Sequence, residues 1–112
     1  MTCLRRLFRS IIQTIRRRKQ LREELKRNYE ECERLVKGIK DDYEKECESI
    51  LKAYNEKLKE IGTVVGPEAD AATNESERDS RRALALTDQK IKEVRENYGR
   101  RAERIKQAYG GS

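Results

Sequence analysis

The side chains in this sequence that could do chemistry are three thiols (Cys3, Cys32 and Cys47), twenty-one carboxylates and a run of arginines near the start, with no histidine anywhere. A thiol becomes a nucleophile or a metal ligand when a base, a cation or a second thiol stands beside it. None of the three belongs to a C-x-x-C pair, and an odd cysteine count without histidine argues against both a disulfide framework and a zinc site. Carboxylates do acid–base work when their environments push their pKa values apart. Here they are spread at helical spacing among basic partners, so that Glu44 and Glu48, for example, have nothing to make them a catalytic dyad. No glycine-rich phosphate loop is present. The sequence therefore predicts no catalytic residue, no metal, no cofactor and no small-molecule substrate, and its cysteine usage suits a reducing, cytoplasmic compartment.

The remaining chemistry is electrostatic. The 112 residues carry a formal charge of +6, but residues 1–20 alone hold seven basic side chains (Arg5, Arg6, Arg9, Arg16, Arg17, Arg18 and Lys19) and no acid. The other 92 residues hold 20 basic and 21 acidic side chains and are close to neutral. Attraction to phosphate or to an anionic surface is thus expected at the N-terminus. The same segment is the most hydrophobic in the chain. Leu4, Leu7, Phe8, Ile11, Ile12 and Ile15 follow the amphipathic-helix pattern without an exception, opposite a face of arginine, Ser10, Gln13 and Thr14. It does not read as a secretory signal, because arginines interrupt its apolar positions, and it falls short of the roughly 18 apolar residues of a membrane span.

Three partners suit such a segment. It could fold back as the third helix of a small bundle or form the seam of an oligomer. It could lie at a membrane interface, with its apolar stripe inserted and its arginines on anionic headgroups. Or the run Arg16-Arg17-Arg18-Lys19 could neutralise nucleic-acid phosphates, although no helix-turn-helix spacing, zinc ligand or aromatic stacking platform accompanies it.

The elements that would position this segment are legible in a repeat. In KDDYEKECESILKAYNEKLKEI, residues 40–61, the places held by Tyr43, Cys47 and Ile50 are held eleven residues later by Tyr54, Leu58 and Ile61. The frame extends back through Leu21 and Leu25 with Asn28, then Cys32, Val36 and Ile39. It returns in Thr87, Ile91 and Val94, then Tyr98, Ala102, Ile105 and Tyr109. Spacings of four, three and four residues place these side chains on one helical face, and eleven residues in three turns keep the stripe almost parallel to the axis. The stripe is diluted by Asn28, Thr87 and Ala102, and each tyrosine brings a hydroxyl that needs a partner. Extended into the N-terminus, the frame selects Ser10, Thr14 and Arg17. The apolar stripe there lies one position later, about 100° around the axis, and faces something other than the hairpin's own seam.

Between the repeating regions, Gly62 suits a left-handed helix cap, Gly66-Pro67 signals a loop, and Asn74 with Glu77 has capping-box spacing. The expected fold is all-α: a basic amphipathic helix over 1–19, a long helix over 20–61, a loop over 62–75, a second helix over 76–109 antiparallel to the first, and a flexible tail over 110–112. The hairpin seam would be coiled-coil-like, and a core this thin is expected to need a third element or a second copy. In layout this resembles the membrane-remodelling scaffolds of the phage-shock and ESCRT-III type, which also set a short amphipathic helix before a long helical hairpin. It bears a second likeness to phage inner-membrane spanins, though residues 1–20 are too polar for their membrane anchor. The expected function is non-enzymatic: self-association or binding of a partner helix through the seam, with peripheral membrane association through the N-terminus. The alternative is a soluble adaptor or inhibitor that uses the basic segment on a protein partner or nucleic acid.

Overall fold

A computed structural model describes residues 2–110 and the side chains of residues 3–110; the tail residues Gly111 and Ser112 lie outside the described residues. The protein is all-helical. Helix α1 runs over Thr2–Ile61 and helix α2 over Pro67–Ala108, and the two form an antiparallel hairpin. No strand occurs among the described residues.

Two boundaries differ from expectation. α1 passes through residues 19 and 20 without a break, so the basic segment is the first part of a longer helix. Arg16, Arg17, Arg18, Lys19 and Gln20 are all good helix formers with no Gly or Pro among them, and nothing in the run ends a helix. α2 begins at Pro67 instead of residue 76, which shortens the loop to residues 62–66. Proline is favoured at the first helical position, where its missing N–H would have no partner anyway. Glu68 and Asp70 place negative charge in the first turn, and the Asp70 amide donates to the Gly66 carbonyl at 3.0 Å. Gly62 closes α1 at φ 80°, its amide donating to the Leu58 carbonyl at 2.9 Å, and Gly66 takes φ 108° before α2 starts.

Contacts divide the chain into two compact units. In unit 2 (Leu35–Glu93), the ends of the two helices that meet at the loop pack large side chains of α1 on small ones of α2. Tyr43, Cys47, Ile50, Tyr54, Leu58 and Ile61 are half-buried and Val36 is buried; the α2 side is Ala69, Ala72, Ser76, Ser80, Ala83 and Thr87. These small residues fall at steps of three, four and four, the eleven-residue frame continued backwards. They were not recognisable as a hydrophobic face, since alanine and serine carry little apolar signal. The Thr73 hydroxyl donates to the Ala69 carbonyl (3.0 Å) and accepts from the Tyr54 hydroxyl (2.9 Å).

In unit 1 (Met1–Arg34 with Val94–Ser112), the size relation is reversed at the centre, where Tyr98 of α2 meets Asn28 and Cys32 of α1. The Asn28 amide Nδ2 donates to the Tyr98 carbonyl at 3.0 Å, while its buried Oδ1 accepts no hydrogen bond. A buried, unpaired acceptor costs about 1–3 kcal/mol. Grooves open on both sides of Asn28, so a larger apolar side chain has room. Asn28→Leu should therefore raise the stability by about 1–2 kcal/mol, read as a higher urea midpoint at unchanged slope. A lower midpoint would mean that the Asn28–Tyr98 bond outweighs the orphaned oxygen.

Candidate functional site

Among the described residues, every side chain from Cys3 to Gln20 is exposed. Leu4 is 67% exposed, Phe8 65%, Leu7 60%, Ile15 59%, Ile11 50% and Ile12 39%. Scattered apolar side chains on a surface need no explanation, but six on one helical stripe do. The segment does not fold back as a third helix of this chain. Its reach explains why: α2 ends at Ala108, and Tyr109 and Gly110 lie beside Thr14, Arg17, Arg18 and Leu21, so the turns before Thr14 project beyond the end of their partner. The Thr14 hydroxyl donates back to the Ser10 carbonyl at 2.9 Å, within the helix itself.

The seven basic side chains, Arg5, Arg6, Arg9, Arg16, Arg17, Arg18 and Lys19, are exposed on the same segment. The units divide the charge further. Unit 1 holds 16 basic and 7 acidic side chains, formally +9, whereas unit 2 holds 11 basic and 14 acidic ones, formally −3. Beyond residue 20, unit 1 thus stays weakly positive, which a reading by chain order alone misses because its two strands of sequence are 59 residues apart.

Of the expected seam residues, Cys32 and Val36 are buried. Leu21, Leu25, Ile39, Tyr43, Cys47, Ile50, Tyr54, Leu58, Ile61, Ile91, Val94, Tyr98, Ala102, Ile105 and Tyr109 are half-buried. The Cys32 thiol is pushed up by burial and by Glu33, against a smaller opposite effect of Arg95, so it is held as a neutral thiol. The tyrosines find partners: the Tyr109 hydroxyl donates to Glu24 Oε1 at 3.0 Å, and the Tyr98 ring lies under the Arg101 guanidinium, 5.6 Å from its centroid. Arg101 in turn reaches Glu31 at 3.4 Å.

Three of these phenols sit above the ordinary tyrosine value. Tyr109 is raised by its bond to Glu24 and then by burial, Tyr98 by burial and then Glu31, and Tyr43 by its bond to Cys47 and then by burial. A group whose pKa is raised on folding favours the folded state fully below its unfolded pKa, near 10 for tyrosine, and loses that contribution as pH rises through the folded pKa. The melting temperature should fall above about pH 10, and the triple variant Tyr43→Phe, Tyr98→Phe, Tyr109→Phe should flatten that fall. An equally steep alkaline fall in the variant would assign it to other groups.

No described helix is long and apolar enough to cross a membrane. No family model, curated protein or solved structure matches this chain.

Proposed function

We propose that the protein is a non-enzymatic helical-hairpin scaffold that associates peripherally with anionic membrane surfaces through the N-terminal part of α1. The observation that carries this reading is the six-residue apolar stripe from Leu4 to Ile15, left uncovered on a stretch of helix, residues 3–20, that holds seven basic groups and no acid. That combination is the signature of a helix lying in the headgroup–acyl boundary. Burying six such side chains even half-way contributes several kcal/mol at about 25 cal/mol per Å², and each basic group near an anionic leaflet adds about 1 kcal/mol. The seam is the surface through which the hairpin holds itself together and through which a second copy or another helical protein would add.

The test is co-sedimentation of the full chain with vesicles of phosphatidylcholine alone and with added phosphatidylglycerol. Binding that requires the anionic lipid and weakens with salt supports the reading. Absence of binding to either vesicle overturns it, and salt-dependent binding to nucleic acid in that case would favour the soluble adaptor, with Arg16, Arg17, Arg18 and Lys19 as its phosphate contacts.

A further inference from the structure

The helical face that carries the apolar stripe runs on across unit 1, where Arg18, Arg22, Lys26 and Tyr29 take the place of the apolar side chains. Because α1 is unbroken, residues two eleven-residue repeats apart lie on nearly the same line, drifting by only about 40°. Leu4, Leu7 and Ile11 are thereby followed along the helix by Lys26, Tyr29 and Glu33. Tyr29 and Glu33 form one wall of an open groove between α1 and α2, whose floor is Leu25, Asn28, Cys32 and Tyr98 and whose other wall carries Arg95, Gly99 and Lys106. Tyr29 is 66% exposed at its edge.

The charge of this groove differs from that of the groove on the opposite side of the unit. There, Glu24 and Glu31 are engaged by Tyr109 and Arg101, and the surface is self-neutralised. Here Glu33 is the one carboxylate in the lining, against Arg95 and Lys106, with Arg22 and Lys26 close by in sequence; Lys106 also meets Glu103 at 3.3 Å and Lys26 meets Glu30 at 3.9 Å, exposed pairs that a phosphate can displace at little cost. The buried Asn28 lies at the floor with its carbonyl oxygen unpaired. A floor that is apolar except for Asn28, an amphipathic tyrosine at the edge and basic side chains along the rim suit the boundary between headgroups and acyl chains. The N-terminal stripe of a second copy would bring seven more positive charges against a unit that is already formally +9, so charge complementarity selects an anionic lipid surface over another copy of this chain.

We propose that the membrane contact continues past Lys19 into this groove, where Arg95 and Lys106 take the phosphate groups of anionic phospholipids and Tyr29 enters the interface, laying unit 1 along the bilayer. The proposal rests on the membrane reading above.

The chain contains no tryptophan, so the full-length variant Tyr29→Trp gives a fluorophore that reports residue 29 alone. On phosphatidylglycerol vesicles its emission should shift to the blue and be quenched by lipids brominated near the top of the acyl chain. A Leu86→Trp variant, with the probe on α2 in unit 2, should be neither shifted nor quenched. Arg95→Gln with Lys106→Gln should weaken vesicle binding at low salt by about thirtyfold, five- to sixfold for each charge removed, with the far-UV spectrum unchanged. If the Tyr29→Trp chain co-sediments with the vesicles but its emission is unmoved, or if positions 29 and 86 are quenched alike, the groove contact is overturned and the N-terminal reading stands. Failure to co-sediment at all removes both.

Discussion

The double substitution Leu7→Glu, Ile11→Glu is expected to reduce binding to anionic vesicles more than a thousandfold while leaving helicity and thermal midpoint unchanged. Both side chains are at least half exposed, at 60% and 50%, among the described residues, so the folded state has almost nothing to lose. On a membrane the balance is different. Each change removes an apolar side chain whose burial contributes about 1.5–3 kcal/mol when complete and brings a carboxylate to a surface that repels it by roughly 1 kcal/mol. Two such changes exceed the 4.1 kcal/mol or so that separates a millimolar from a micromolar dissociation constant. Co-sedimentation and circular dichroism on the same samples check both halves. Retained binding would remove the membrane reading, and a loss of several kcal/mol in stability would mean that the stripe is the buried seam of an oligomer.

The second large effect belongs to the seam. Val36→Asp is expected to unfold unit 2, because Val36 is 2% exposed and a carboxylate there would be desolvated without a partner. The penalty is at least 3–4 kcal/mol, a large share of the 5–15 kcal/mol that stabilises an ordinary domain, and the other buried side chains in this unit are small, three alanines and Thr87. Its neighbour in sequence is the control. Leu35 is 46% exposed, and Leu35→Asp should cost less than about 1 kcal/mol, mostly in helix propensity. Urea unfolding followed at 222 nm separates the two variants. Comparable losses at 35 and 36 would mean that the outer face of α1 is covered as well.

The comparison of Val36 with Ala83 shows what could be read from the sequence and what could not. Val36, Ile39, Tyr43 and Tyr54 announce a helical face because large apolar groups at steps of three and four have no other explanation. Ala69, Ala72, Ser76, Ser80 and Ala83 obey the same spacing, but their contribution is to be small opposite large neighbours. That is a property of the pair and is invisible in either helix alone. The start of α2 was misplaced for a related reason: with no apolar face visible before Thr87, Asn74 and Glu77 looked like the beginning of a helix, although Pro67 had already begun it. The N-terminal stripe was legible in full as residues, Leu4 to Ile15, but whether anything covered it depended on where α2 ends, and Tyr109 answers that only in three dimensions. The groove at Tyr29 was beyond sequence reasoning altogether, since Arg95 and Lys106 reach it from the other helix.

The five-residue turn has a topological consequence. Residues 62–66 return the chain on itself through two glycines at φ 80° and 108°, backbone states that a side chain at either position would resist. Every contact made across the seam inside one hairpin could equally be made between two chains whose turns had straightened, each lending its second helix to the other in a domain-swapped pair. Gly62 and Gly66 permit the tight reversal that lets a single polypeptide serve as its own partner.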